Sequence, residues 1–598
     1  MKHTIIMAGI VIAGLFTSCQ EDFLDAPAQS TLESSTIFSD PTLAEGAVNG
    51  IKMAFGETNS YRGRYLPFYG FNTDVEWYNS SSQDQEDKSD LCTYNAQPTN
   101  GQMNTTNNVW AMMYAGIERA NICIEGLRAY GDPKPGTDLG YLLGEALTLR
   151  AIYYADLVKT WGDVPARFEP ISSATIYLEK SNRDIIYKQL LKDLGEAETL
   201  VPCPCESKAT NSVERVNKAF VKGFRARLAM TASGYQQYKD GVHRSNDPEL
   251  SVPAMYKLAL DECRDVIASG KAHLEPSFET FWKNYNQEKL NAGGESLWEI
   301  PFSAGRGKMV ISFGVLHNTV DQFQTGADKR GGTAGPLPYV FYDYDKADSR
   351  RDVSCVPYAW GKADANKIAK QELGTLNKWY FGKYRFEWMS RVVSSKDDDG
   401  LNKIYMRYAE VLLIAAEAAN ELEGPAAAAP YLKEIRNRAF APADRALKVD
   451  TYVANVSGSK DAMFNAIVEE SKYEFTGEME RKQSLIRWNL LKANLDAAKV
   501  KMQNLAARTG EYKDVPSKLY YKYKDDKITL DVYGLNKGEI TPSADYQVNP
   551  AVDWTTLDAT KINSLYNSGV NPDNKQYWPI WQVFIDASNG KLVNDLGY

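Results

Sequence analysis

Histidine and cysteine are scarce in this 598-residue chain, at four and seven residues. The histidines outside the N-terminus (His243, His273 and His317) lie far apart, which argues against a histidine-rich metal cluster. Cys92, Cys123, Cys203, Cys205, Cys263 and Cys355 form no C-x-x-C pair and no regular framework. They read as structural thiols or an opportunistic disulfide; only "PCPC" at 202–205 leaves metal binding or pairing elsewhere open. Long apolar runs are missing too. Crossing a bilayer takes about 20 apolar residues, and the run from Ile5 to Phe16 falls well short. Positive charge is in deficit, with 68 Lys and Arg against 77 Asp and Glu, which disfavours nucleic acids and other polyanions. No P-loop, H-E-x-x-H, G-x-S-x-G or G-x-G-x-x-G pattern occurs, so no cofactor and no common catalytic motif is indicated.

What the chain does have is apolar and aromatic material. Hydrophobic residues make up 43% and aromatics 12%, including 36 Tyr and 12 Trp, enough for a large core and for binding surfaces. The length suits two to four domains or one large repeat array. Lys2 and His3, the apolar run, then Thr17 and Ser18 have the layout of a secretory leader over 1–18. Residues 19–45, polar and proline-containing, read as a tether.

Helical periodicity starts near Asn107. "VWAMMYAGIERANICIEGLRAYG" spaces Trp110, Met113, Ile117, Ala120, Ile124 and Leu127 along one stripe, and Gly131, Asp132 and Pro133 stop it. A second helix starts at Asp138, a candidate N-cap, and stops at Gly162, making a helical hairpin. Further segments follow at 183–200, 217–235, 254–270, 405–424 and 426–440. Such units predict a mainly α fold of tetratricopeptide-like helical pairs, degenerate and unevenly spaced. Between 278 and 404, glycine, proline and aromatics multiply, as in "KRGGTAGPLPYVFYDYD". This predicts loops and short strands laid on the helical scaffold, a place where binding residues collect. The domain reading is therefore 46–277 helical, 278–404 loop-rich and 405–598 a C-terminal region.

The carboxylates of "VEESKYEFTGEMERKQSLIRW" (Glu469, Glu470, Glu474, Glu478 and Glu480) stand near Arg481 and Arg487, and a structural ion-pair network explains them better than catalysis. Glu145 and Arg150 in "GEALTLRA" likewise read as packing.

Taken together, "CQEDFLDAP", "WAMMYAGIERANICIE", "GEALTLRAIYYADLVKTWGDVP", "MRYAEVLLIAAEAANELEG", "IRNRAF", "SKYEFTGEMERKQSLIRW", "YWPIWQ" and "NDLGY" resemble the SusD/RagB family in order and over almost the whole chain. The resemblance implies a surface lipoprotein of Bacteroidota that is not an enzyme. It would act as a lid on a SusC-like TonB-dependent outer-membrane transporter and capture oligosaccharides for import. Peptide capture, as RagB-like relatives are thought to perform, is the alternative, and a glycoside hydrolase a remoter one. Leu15, Thr17 and Ser18 before Cys19 resemble a lipobox, which makes Cys19 the expected site of acylation and attachment to outer-membrane lipid. Glu21 and Asp22 resemble a surface-export signal.

A sugar offers an apolar ring face and a rim of hydroxyls, so its site needs exposed aromatic platforms beside placed polar groups. "GFNTDVEWYNSSSQDQED" (70–87) fits best, and the family resemblance implies ligand contacts at Trp77, Tyr78 and Asn79. Phe313, His317, Phe323 and Trp360 in the loop-rich middle are the second set. Trp110, Trp161, Trp298, Trp488 and Trp578 sit in scaffold motifs and are expected in the core.

Overall fold

Apolar stripes at helical spacing, each closed by glycine or a polar stop, produce helices where the pattern places them. The computed structural model describes residues 33–302 and 306–598. Cys19, the leader and most of the tether lie outside the described residues. The helices of the scaffold include α1 (Ser34–Ser39), α2 (Pro41–Ile51), α3 (Val109–Tyr130), α4 (Asp138–Trp161), α5 (Arg183–Leu200), α6 (Lys218–Ala232), α7 (Val252–Ser269), α8 (Tyr408–Leu422), α9 (Pro425–Ala439), α10 (Lys460–Phe475), α11 (Arg481–Arg487) and α12 (Leu491–Ala507). None is long and apolar enough to cross a membrane.

The caps explain the boundaries. The Asn108 side chain accepts from Ala111 N–H at 3.0 Å and starts α3, which ends at Gly131. Thr137, not Asp138, caps α4; its hydroxyl accepts from Gly140 N–H at 3.0 Å, and Asp138 is the first helical residue. Gly162, at φ 71°, turns the chain out of α4 in a conformation that side-chain-bearing residues rarely adopt. Two expectations shift. Residues 403–407 form a strand before α8 begins, and the helical body starts inside the supposed tether. Phe38 of α1 is buried against Gly126 of α3, so apolar contact has already fixed the chain by residue 34.

The helices pack in sequence: α3 on α4, α4 on α5, α5 on α6, α6 on α7. The series then jumps from α7 to α8, which also packs on α9 and α10. The stretch between α7 and α8 is thus an excursion from a continuous helical array. Nearly every residue of α4 is buried, as expected of a helix with neighbours on several sides.

The excursion is built from two-stranded pieces. β1 (Glu76–Tyr78) pairs antiparallel with β3 (Ala334–Pro336), setting Trp77 opposite Gly335. β2 (Ser296–Ile300) pairs with β6 (Lys403–Arg407), and β4 (Tyr358–Trp360) with β5 (Gln371–Leu373). Near the C-terminus, β7 (Lys518–Tyr523) and β8 (Leu530–Tyr533) form a hairpin. Helix thus makes up 47% and strand 9%, a mainly α fold.

One large apolar core takes in side chains from Phe38 to Leu592, so the three sequence regions share an interior. "YWPIWQ" brings the C-terminus back onto α4. Trp161 Nε1 donates to the Pro579 carbonyl at 3.0 Å, Trp578 Nε1 to that of Leu91 at 3.0 Å, and the Trp161 and Trp581 rings meet edge to face at 6.2 Å. Trp110, Trp161, Trp298 and Trp578 are buried as expected; Trp488 is partly exposed and donates to Glu417 at 3.0 Å.

Candidate ligand-binding face

The segment carrying β1 is held from beneath by the motif read as an ion-pair network. Arg481 of α11 grips Asp74 through two bonds, Nε to Oδ1 at 2.8 Å and Nη2 to Oδ2 at 2.7 Å, and Asn494 of α12 adds a third at 2.7 Å. Gly477 N–H donates to Glu76 Oε2 at 2.7 Å. Asn72, at φ 59°, accepts from Tyr78 N–H at 2.9 Å and donates to the Ser564 carbonyl at 3.1 Å, tying the loop to the C-terminal region. Asp74 is therefore an anchor, committed to the interior.

The rest of that network is structural too. Arg407 reaches Glu295, Glu474 and Glu478; Arg438 reaches Glu295 and Glu474; Arg350 reaches Asp348, Glu470 and Glu474. All these side chains are almost fully buried. Burial alone would raise the Glu474 carboxyl's pKa, but the surrounding guanidinium groups outweigh it and hold the group well below its ordinary range. Glu145 and Arg150 do not pair with each other: Glu145 meets Lys52 at 2.9 Å, and Arg150 meets Asp193 at 2.7 Å.

The expected aromatic platforms are mostly withdrawn from solvent. Trp77 has no accessible surface and packs in a core with Leu337, Phe341 and Trp379. Tyr78 is buried against Phe68, with ring centres 5.8 Å apart. Phe313 is buried between Phe71 and Tyr384. His317 and Trp360 are buried and near-parallel at 5.7 Å. These five are corrected as surface platforms, because the loop segments close on one another and turn their aromatics inward. Of the seven expected contact residues, Asn79 and Phe323 keep some exposure. Phe323 lies 4.7 Å from the Trp360 ring, so the structure unites Phe323, His317 and Trp360 while leaving Phe313 elsewhere.

His317 belongs to a buried polar group. Its Nδ1 is 2.6 Å from Asp321 Oδ2, and its Nε2 is 3.9 Å from Glu387 Oε2. Burial would lower the imidazole's pKa, but the two carboxylates outweigh that and raise it. Backbone pairing of His317 with Arg330 and with Trp360 joins the 317–330 and 358–360 segments.

Three residues absent from the sequence reading complete the surface above Trp77: Asn377, Lys378 and Lys561. Lys561 Nζ stands 4.1 Å from the Trp77 ring centre, a cation–π contact. It lies 3.5 Å from Asn79 Oδ1 and 3.5 Å from the Asn377 carbonyl. Asn79 Nδ2 donates to the Gly332 carbonyl at 2.8 Å, which points its oxygen toward the lysine. Burial pushes the Lys561 ammonium's pKa down to about 8, the like charge of Lys378 adds to that, and Asp558 opposes it. Nothing in "LDATKIN" marks Lys561 beforehand, since its place above Trp77 is set by a contact across most of the chain. The β7–β8 hairpin was legible in "KLYYKYKDDKITLDVYG", where alternation and a polar turn stand side by side. It sets Tyr520 opposite Tyr533, both half-exposed, with the Tyr546 ring 5.6 Å from Tyr533.

Two carboxylates do approach each other at a cavity lined by Tyr285, Phe302 and Leu401. Glu214 and Glu299 both accept from Asn402 Nδ2, at 2.9 and 3.0 Å, and burial pushes Glu299 up to about 7. The shared amide occupies the place between them, where a hydrolase needs its substrate. Among the described residues no group of side chains could hold a metal ion, and no disulfide forms; Cys203 and Cys205 are free.

Comparison with known proteins agrees with this architecture. Residues 279–598 match the model of the SusD family, and residues 22–230 match a second model described as starch-binding associating with outer membrane. SusD-like protein P25 of Formosa agariphila is 22% identical over 527 residues, covering 81% of this chain and 90% of the relative. SusD-like protein P2 of the same organism is 25% identical over 434 residues, covering 67% and 78%. A SusD homolog from Bacteroides thetaiotaomicron shares the fold with a TM-score of 0.71 at 19% identity, over 95% of this chain and 99% of that one. Surface glycan-binding protein A of the same species, solved with laminarihexaose, superposes with a TM-score of 0.60 at 18% identity, over 92% and 99%.

Proposed function

This chain belongs to the SusD family, and from that premise we propose that it is a cell-surface glycan-binding lipoprotein that captures oligosaccharides and delivers them to a SusC-like TonB-dependent transporter. The observation that carries the reading is the family match across residues 279–598, the half of the chain that includes the loop-rich excursion. The laminarihexaose complex of a protein with the same fold supports an oligosaccharide as the ligand class. The description of the second matching model supports an outer-membrane location. Acylation of Cys19 would supply the anchor, because a lipoprotein cysteine carries at least two chains and two chains hold where one does not.

On this reading the helical array is the rigid support, and the face around Asn79, Lys561 and Phe323 meets the ligand. The protein binds and does not cleave. The Glu214–Glu299 pair is closed by Asn402, which leaves the capture reading without a competing catalytic cleft at that cavity.

Calorimetry of the chain from residue 20 onward, against a panel of neutral and acidic oligosaccharides and of peptides, tests the proposal. Heat from one glycan class without release of shorter products is the expected result. Heat from peptides alone would move the protein to the peptide-capturing branch. Product formation abolished in Glu299→Gln would overturn the non-catalytic reading. For the anchor, metabolic labelling with a fatty-acid analogue should mark the full chain and not Cys19→Ala.

A further inference from the structure

Many cations in the interior of this protein have carboxylate partners: Arg150 with Asp193, Arg407 with Glu474 and Glu478, Arg481 with Asp74, Lys472 with Asp343. Two enclosed lysines do not: Lys403 donates to the Ile404 and Glu478 carbonyls, and Lys482 lies beside the Tyr69 and Tyr94 rings. An ammonium taken from water without such a partner is costly. Lys561 also lacks a carboxylate, but unlike those two it keeps a solvent face. Its neighbours are the Trp77 face and the oxygens of Asn79 and Asn377, and both oxygens lie at the long limit of a hydrogen bond, 3.5 Å. Among the described residues, no carboxylate lies within ion-pair distance of Lys561 or of the exposed Lys378.

Asn377 Oδ1 is used by the Asp558 N–H at 3.0 Å, which turns the amide NH2 away from that bond. Asp558, the nearest acid, is itself engaged by Thr560 N–H at 2.8 Å. Asn79 Nδ2 is committed to Gly332, so its oxygen serves to hold the lysine in place. Lys378 directly follows Asn377, whose carbonyl lies 3.5 Å from Lys561 Nζ, and its like charge acts on Lys561, so two lysines and an amide neighbour one another in a chain whose net charge is −9. Overall charge does not account for such a spot; an anionic ligand does.

We propose that the surface formed by Lys561, Lys378 and Asn377 above Trp77 is a subsite for the acidic group of an anionic glycan, a carboxylate or a sulfate carried on a sugar ring. This rests on the glycan-capture reading and specifies its ligand class. The Trp77 ring keeps the Lys561 ammonium over its face by cation–π attraction. The ligand's oxygens then supply the partner that the protein withholds, with charge-assisted bonds from both lysines and a neutral one from the Asn377 amide.

The test is isothermal calorimetry of the chain from residue 20 onward with oligogalacturonate, with chondroitin sulfate oligosaccharides and with laminarihexaose as the neutral reference. One of the two acidic probes should bind; which one distinguishes carboxylate from sulfate. Lys561→Met should weaken that binding by about tenfold or more, the worth of one charge-assisted bond. Lys378→Met, at an exposed position that folding tolerates, should weaken it less, and added salt should weaken the wild type toward the variants. Binding of laminarihexaose alone, with both variants unaffected, would overturn this inference and leave glycan capture standing. Acidic binding unchanged in both variants would place the site elsewhere and overturn it as well. No heat from any of the three probes would count against the anionic subsite, whereas heat from peptides alone would remove the capture reading beneath it.

Discussion

Two charged regions of this molecule lie within a short reach of each other and obey opposite rules. Around α10 and α11, guanidinium and carboxylate groups are buried together, and Arg350, Arg407 and Glu474 each meet three opposite charges. Above Trp77, the half-buried Lys561 meets ring and carbonyl but no carboxylate. The first region is closed: Arg350, Arg407 and Arg438 meet their carboxylates inside the protein, so removing one member leaves the others short of a partner in low dielectric. The second is open, with attraction left over for something from outside. Arg481 and Asp74 join the two, because they clamp the β1 segment that carries Trp77 and Asn79 onto the closed network.

The contrast predicts a gradient of effects. Arg407→Met should do most damage, since it takes one cation at once from Glu295, Glu474 and Glu478; a loss of about 3–5 kcal/mol is expected in chemical unfolding. A loss under about 1 kcal/mol would mean that the network is not the closed system its geometry describes. Asp74→Ala comes next, at about 2–4 kcal/mol, because Arg481 keeps its charge without its bidentate partner. This variant should also weaken glycan binding by loosening β1, a coupling that calorimetry would detect.

Glu76 supplies a pH test of the same boundary. Burial pushes its carboxyl from about 4.5 up to about 8; the Gly477 N–H bond and Lys383 oppose the rise, and Asp74 and Glu478 add to it. Between those two values the native state holds a proton that the unfolded chain has released, so stability falls as pH rises through that window. Each unit of such a shift is worth about 1.4 kcal/mol. Glu76→Gln removes the titration and keeps the acceptor for Gly477, so its thermal midpoint should vary less than the wild type's from pH 5 to pH 8. Equal slopes would show that Glu76 is ionised in the folded protein.

Gly335→Ala probes the partner strand. A Cβ there would stand 2.1 Å from the Trp379 carbonyl oxygen. Overpacking of this kind costs about 1–3 kcal/mol, and the loss should be accompanied by changed Trp fluorescence. The smallest effect belongs to the open region: Lys561→Met should leave stability within about 0.5 kcal/mol while it alters binding. A large destabilisation would make Lys561 another member of the closed set.

Local pattern carried the reading far in some segments and not in others. The stripes of α3 and α4 and the stops at Gly131 and Gly162 were legible because a helix's apolar face and its terminating residues lie within a few positions of each other. The ion-pair character of "EFTGEMERKQSLIRW" was legible for the same reason, though its partners were not. Glu474 pairs with Arg350, Arg407 and Arg438, and Arg481 with Asp74, all contributed by other segments. The ligand face was legible only as a region. Polar neighbours made Trp77 look exposed, yet β1 closes on β3 and the 559–563 segment settles over its ring. The tether boundary failed in the same way, since Phe38 reveals its role only against Gly126.

By itself the sequence determined the helical class, the family, and the aromatic and glycine content of the loop-rich stretch between the helices. These properties depend on residue type and on spacing over a few positions. Tertiary structure alone decided which aromatics keep a solvent face, which carboxylate answers which guanidinium, and that Lys561 answers to none of them. Burial and charge pairing are set by segments hundreds of residues apart, and the free energy of a charge depends on the partner that folding brings to it.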